Sequence, residues 1–340
     1  EKYFDYELKT RKEPLRLTVD TDIQFLIREE LIKFQPIFNN IGSAAILMNI
    51  NNGKILSMVS LPDFNLNIRQ DIQNVNFINR ISKGVYELGS VFKTFTVAAA
   101  FDENIVEPKT KYLNLKKKLS CSGYPIEEYD KEMPSDLTVE EILVRSSNIG
   151  SVRIAQDLGI VKFKSFLKKI GILEKIDFDI EEVGTPNSGN WGKCKLATAA
   201  FGHGVSTTIL QLAKGYSIIS NGGYEIKPTI INDKKMKKRN KILNDQVSEK
   251  INLILRKVVT EKEGTAGFAN IKGYEIGGKT GTAEQPKKGE YSKKKINTFS
   301  SIFPISQPKY VLVVMLDEPK ANKDYVYYYK DERLPYKGNW

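Results

Sequence analysis

Ser90-Val91-Phe92-Lys93 sets a hydroxyl and an amine three positions apart in a chain of 340 residues. In the first turn of a helix, positions i and i+3 share a face, so such an amine can approach the hydroxyl. Serine alone is a weak nucleophile. An amine kept neutral by apolar surroundings can take its proton. Gly89 lets the backbone turn tightly, and the helix N-terminus offers unpaired N–H groups to a developing oxyanion. The same spacing recurs from Ser165, Ser292 and Ser306. The first of these falls mid-helix, the second in a lysine-rich loop, and the third contains Pro308, which breaks the required helical turn. Position, more than pattern, singles out Ser90.

Ser146-Ser147-Asn148 is a second candidate. A hydroxyl and a carboxamide at a helix junction suit proton relay and the holding of a peptide amide; plain helix capping is the alternative. Ser188-Gly189-Asn190 is a rival copy in a loop rich in Pro and Gly. The third candidate, Gly277-Gly278-Lys279-Thr280-Gly281-Thr282, lies in a strand-forming stretch. A lysine followed by two hydroxyls around a glycine makes an anion site that a ligand can approach closely. The spacing of a phosphate-binding P-loop is absent.

These residues need elements to hold them. Apolar spacing predicts a helix over 23–34, and Asn51-Asn52-Gly53 joins predicted strands at 43–50 and 54–60. A turn at 87–89 leads into a predicted helix over 90–101. Residues 103–260 read as mostly helical, with helices at 148–158, 162–170 and 208–220 and another starting near 137, capped by Thr138 or Asp136. Strands return at 273–283, 298–305 and 310–316, the last apolar enough for a buried central strand. A sheet built from both ends of the chain around an inserted helical lobe satisfies this order, and a cleft between the two would house a site.

Composition narrows the classes. With 41% hydrophobic residues the chain can bury a large core. The 52 basic residues against 41 acidic give a net charge of +11, which favours an anionic partner or simply decorates solvated faces. The runs Lys234–Lys241 and Lys293–Lys295 read as loops without interleaved aromatics, so no nucleic-acid partner is expected. No stretch is long and apolar enough for a membrane helix or a signal peptide. Cys121 and Cys194 form either a disulfide or two buried thiols, and with His203 as the single histidine a zinc site is not expected.

The three motifs occur in the order shared by serine β-lactamases and penicillin-binding proteins. Asn79-Arg80, Tyr86–Thr96, Phe201–Ser206, Gln211-Leu212-Ala213 and Asp317-Glu318-Pro319-Lys320 extend the likeness. Over about residues 15–320 the chain resembles the division-specific branch of the class B penicillin-binding proteins. Leu88 stands where many members carry proline, and His203 where an aromatic or amide is usual. The resemblance implies an α/β (α+β type) transpeptidase fold: a central antiparallel sheet flanked by helices, plus an inserted helical lobe. It further implies that residues 1–15 end an N-terminal pedestal domain, that 16–340 form the transpeptidase domain, and that a last helix on the sheet is missing beyond Trp340.

By the same resemblance, Ser90 attacks the carbonyl between two terminal D-alanines of a peptidoglycan stem peptide, with Lys93 as general base. Ser146 relays the proton, Asn148 holds the donor amide, and Lys279 steadies Ser146. Thr280, Gly281 and Thr282 bind the terminal carboxylate, and the N–H groups of Ser90 and Thr282 form the oxyanion hole. The acyl group then passes to an amine of a second stem peptide, β-lactams acylate Ser90, and no cofactor or metal takes part. The implied setting is the periplasmic face of the inner membrane, behind an upstream anchor, with a glycosyltransferase and division proteins as partners. Two readings on the same scaffold compete. A β-lactamase would need a water-activating carboxylate, for which Glu181 and Glu182 are the candidates; a non-catalytic β-lactam sensor would need no turnover.

Overall fold

The computed structural model describes all residues except 1, 66, 69–73, 122–123, 193, 233–238, 288–289, 330–331 and 339–340. Asp5–Thr10 forms a short exposed helix, α1. The chain is stitched to the body from Thr18, whose N–H donates to Ile230 O at 2.8 Å. The next helix, α2 (Thr21–Phe38), starts at Asp20, whose carboxylate accepts from the N–H groups of Asp22 and Ile23. It runs past the expected end at residue 34, with Pro36 inside, and stops at Asn39 in the left-handed region (φ 43°). Its buried Leu31 packs with Ala45, Val59 and Leu61 on one face of the sheet.

That sheet draws on both ends of the chain, as the element order required. The hairpin at Asn51-Asn52-Gly53 joins β1 (Gly42–Asn49) to β2 (Ile55–Leu61). Pairing is antiparallel throughout, in the order β2, β1, Tyr310–Asp317, Glu290–Phe303, Gly277–Lys287. The stretch Tyr310–Asp317 is the central strand of the five. Its Val311, Val313 and Met315 are fully buried, alternating with half-buried neighbours because helices cover both sides. At its end Asp317 pairs with Arg80 at 3.2 Å, both side chains nearly sealed from water.

The lobe between the strands holds α3 (Lys93–Asp102), α4 (Val139–Val144), α5 (Asn148–Leu158), α6 (Ile160–Lys169), α7 (Lys195–Ala199), α8 (Ile209–Ser220) and α9 (Asp245–Thr260). Thr138 caps α4 and Thr208 caps α8, each in a reciprocal capping box, with Glu141 and Gln211 respectively. Between these helices run short pairs: β3 (Tyr86–Glu87) with β8 (Ser206–Thr207), β4 (Lys111–Tyr112) with β7 (Leu137–Thr138), and β5 (Lys118–Cys121) with β6 (Tyr124–Glu127). We number the remaining sheet strands β9 (Gly277–Lys287), β10 (Glu290–Phe303) and β11 (Tyr310–Asp317), and a final hairpin β12 (Asn322–Tyr329) and β13 (Glu332–Tyr336). This hairpin docks Tyr336 against Phe38, and the Tyr336 hydroxyl accepts from Asn297 at 3.0 Å.

Two expectations change. Lys293–Lys295, expected in a loop, lies in β10, where the register with β9 shifts between Tyr291 and Lys295 and before the pairing with β11 begins at Ile296. The other basic run lies partly outside the described residues, and its Arg239 and Lys241 both stand over the ring of Tyr224, an aromatic contact the linear pattern hid. Of the two options for the cysteines, Cys121 and Cys194 form a disulfide, with Cα atoms 5.7 Å apart.

Candidate active site

Ser90 sits in a turn of 3-10 helix, Gly89–Phe92, that opens directly into α3. The apolar run around it is the reason: Val91, Phe92 and Phe95 are fully buried, so the turn is anchored from below while Ser90 stays half-buried at the edge. Tyr216 locks the same turn, donating to Val91 O at 2.9 Å and sharing a hydrogen bond with Thr94 Oγ1. Gly89 has φ +62°, and a Cβ there would lie 2.3 Å from Thr282 O. Across the contact, a Cβ on Gly281 would lie 2.4 Å from Leu88 O. Glycine at both positions lets β9 press backbone to backbone against the turn bearing Ser90.

The whole of α3 is buried, including the Lys93 side chain. Its amine donates to Ser146 O at 2.5 Å and to Ser146 Oγ at 3.0 Å. The hydrogen bonds thus go to Ser146 and not to Ser90, although sequence spacing pointed to the latter; such contacts commonly tighten only when substrate arrives. Burial lowers the Lys93 pKa to about 7, against a smaller opposing pull from the charge of Glu128. About half of such amines are neutral at neutral pH. Ser146 itself has φ +60°, rare for a residue with a side chain. The Lys93 bond to its carbonyl holds it there.

One residue at the site carried no sequence signal. Glu128, just after β6, accepts from Ser147 Oγ at 2.6 Å, Asn148 N at 2.8 Å and Ile149 N at 3.0 Å. Ser147 Oγ in turn accepts from Gly150 N, so the junction into α5 is closed on both sides. Motif spacing could not reveal Glu128, because it arrives from a separate hairpin.

Lys279 is fully buried on β9. Its amine donates to Thr280 O at 2.9 Å and reaches Thr265 Oγ1 at 3.5 Å; neither bond involves Ser146. Burial, then repulsion from Lys93, drives its pKa well below the ordinary value. Thr280 Oγ1 donates to Thr265 Oγ1 at 3.0 Å, which turns that hydroxyl along the strand, while Thr282 stays half-buried beside Gly89. The Asn148 side chain donates to Glu127 O at 2.7 Å. His203 is half-buried against Phe201, and desolvation, with the nearby Lys93 charge, lowers its pKa to about 4. It is therefore a neutral ring in the loop before β8. The arrangement brings residues 90, 93, 146, 148 and 279–282 to one region between β9 and the helical lobe.

The other sequence candidates lie elsewhere. Ser165 is inside α6, Ser292 inside β10, and Ser306 in the turn before β11. Ser188 of the rival Ser-Gly-Asn copy accepts from the Trp191 indole at 3.3 Å, within its loop. Glu181 and Glu182 are exposed; a Glu182 oxygen accepts from Asn79 N at 3.5 Å.

Residues 43–332 match the family described as the penicillin binding protein transpeptidase domain. A probable peptidoglycan D,D-transpeptidase FtsI from Caulobacter vibrioides is 29% identical over 91% of this chain and 54% of its own length. The stage V sporulation protein D of Bacillus subtilis is 32% identical over 90% of the chain and 50% of its own. The chain thus spans about half the length of these curated relatives. Among solved structures, the transpeptidase domain of penicillin-binding protein 3 from Burkholderia pseudomallei superposes with a TM-score of 0.80 at 27% identity, covering 89% of this chain and 88% of that one. Penicillin-binding protein 3 of Mycobacterium tuberculosis, complexed with aztreonam, gives 0.82 at 25% identity, covering 90% and 73%.

Proposed function

The chain belongs to the penicillin-binding protein transpeptidase family, and from that premise we propose that it is a serine D,D-transpeptidase cross-linking peptidoglycan stem peptides, in the branch that builds the division septum. The observation that carries this reading is the Lys93 amine: sealed from water, near half-neutral at pH 7, and bonded to Ser146 one helical turn from Ser90.

In this reading the Lys93 amine takes the Ser90 proton as Oγ attacks the D-Ala–D-Ala carbonyl. The tetrahedral oxyanion is met by the N–H groups of Ser90 and Thr282, whose backbones the two glycines allow to approach. Ser146 passes the proton from Lys93 to the leaving D-alanine amine, and the acyl-enzyme forms. Asn148 holds the donor amide, its side-chain nitrogen already donating to Glu127 O. Thr282, with Gly281 and Thr280, receives the terminal carboxylate; the Thr280 hydroxyl also donates to Thr265. Lys279 adds positive potential to the groove only in its protonated form, which burial and the Lys93 charge disfavour. An amine of a second stem peptide then takes the acyl group.

β-Lactams, as mimics of the D-alanyl end, acylate Ser90; one relative in the solved set, penicillin-binding protein 3 of Mycobacterium tuberculosis, is complexed with aztreonam in one structure and with ampicillin in another. The first residues, 1–15, belong to an N-terminal pedestal, and the protein works on the periplasmic face of the inner membrane behind an upstream anchor, with a glycosyltransferase and division proteins. Among the described residues no helix is long and apolar enough to cross a membrane.

Labelling with a fluorescent penicillin tests the reading. Wild type should carry a covalent adduct that lasts at least minutes, and Ser90→Ala none. Labelling of Ser90→Ala would end the assignment, and prompt clearance of the adduct would make the protein a β-lactamase.

A further inference from the structure

Glu128 meets its three donors with both oxygens: Oε1 takes Ser147 Oγ and Ile149 N, and Oε2 takes Asn148 N. All three donors belong to the junction that presents Ser146 and Asn148. The left-handed backbone of Ser146 immediately precedes it, a conformation that surrounding contacts must enforce. Those contacts are the Lys93 bond to Ser146 O, the Ser147 N bond to Ile142 O at 2.9 Å, and the Glu128 clamp on the residues that follow. Glu128 itself is tied back through its own N–H to Lys117 O at 3.3 Å, across the hairpin of β5 and β6. That hairpin is in turn anchored by the disulfide from Cys121 to Cys194.

We propose that Glu128 is a positioning residue of this site: its carboxylate holds the turn that presents Ser146 and Asn148 and sets a negative charge in the surroundings of Lys93. The inference rests on the transpeptidase reading and names a role beyond the three motifs. A helix cap alone would use one oxygen and act on stability. Here a single carboxylate spans a side chain and two consecutive backbone N–H groups, and it does so beside the buried base.

Charged and titratable groups reach Lys93 from each neighbouring element: Glu128 from the β6 loop, His203 from the loop before β8, and Lys279 from β9. His203 is neutral above about pH 4, and the Lys279 charge opposes that of Lys93. Glu128 is therefore the negative charge acting on the amine, and it favours the protonated form. Removing it must move the titration of Lys93 to lower pH.

The test is the second-order rate of acylation by a chromogenic cephalosporin from pH 5 to 9, for wild type, E128Q, E128D and S90A. Glutamine presents an NH2 to Asn148 N–H, donor against donor, so the turn loosens and the charge is lost. For E128Q the plateau should fall about tenfold or more, and the rising limb should shift to lower pH by about half a unit. Aspartate keeps the charge but is shorter; its plateau should fall while the limb stays at the wild-type pH. An E128Q profile with limb and plateau both as in wild type overturns the proposal, even if the melting temperature drops, because Glu128 is then a cap only. If E128Q does not fold, an E128D plateau equal to wild type overturns it. Acylation of S90A would defeat the parent reading instead, whatever the Glu128 variants do.

Discussion

The amine of Lys93 lies 3.0 Å from the hydroxyl of Ser146, and 2.5 Å from that residue's own carbonyl. One buried side chain therefore meets both the hydroxyl and the carbonyl of Ser146, whose backbone is left-handed. In the proposed reading base and relay are already hydrogen-bonded before substrate arrives, and Ser90 stands in the 3-10 turn just ahead of α3.

Replacing that amine by a guanidinium tests the base. Lys93→Arg stays protonated at every accessible pH and cannot accept the Ser90 proton. Acylation by a chromogenic cephalosporin in stopped flow should fall by about a thousandfold. A rate within tenfold of wild type would remove Lys93 from that role.

The pH profile follows from the direction of the shift. Burial lowers the Lys93 pKa to about 7, so the competent neutral amine gains population as pH rises through 7 and is lost below it. Acylation should climb between about pH 6 and 8 and then level off. A limb near pH 10, where an ordinary lysine titrates, would contradict the buried setting.

Backbone contact between β9 and the Ser90 turn predicts an asymmetric response to methyl groups. Gly281→Ala brings a Cβ to 2.4 Å from Leu88 O and must separate the two segments. Acylation should drop by about a hundredfold, with a lower melting temperature. Gly192→Ala, which meets nothing within 4 Å, should match wild type in both measurements. Equal behaviour of the two variants would mean that the contact is not needed.

The disulfide joins positions 73 apart and tethers the Glu128 hairpin to the start of α7. By loop-closure entropy, losing it costs about 4 kcal/mol. Cys121→Ser with Cys194→Ser should unfold at lower urea than wild type and acylate more slowly. Unchanged denaturation would show that the hairpin is held by its other contacts alone.

The nearest-neighbour features of this protein were legible in its residues. Asn51-Asn52-Gly53 makes its hairpin because those residues accept the turn, Thr138, one of two cap candidates, caps α4, and Val311–Met315 is in the central strand. Boundaries drifted where tertiary packing extended a pattern, as when contacts on the sheet carried α2 past residue 34 through Pro36. The pairing of β12 with β13 was not legible, since its tyrosines find their partners on α2 and β10, not along the chain.

Sequence alone determined the inventory: one serine with a preceding glycine and an apolar helix start, a lysine one turn on, and a cationic strand with a glycine inside. These are properties of short windows, where sterics and periodicity act. Only the tertiary structure decided that the Lys93 amine bonds Ser146 before Ser90, that Thr280 turns to Thr265, that the cysteines pair, and that Glu128 clamps the Ser146–Asn148 turn. Each of these joins residues far apart in the chain, and such contacts are set by the burial of a shared core, which no local window contains.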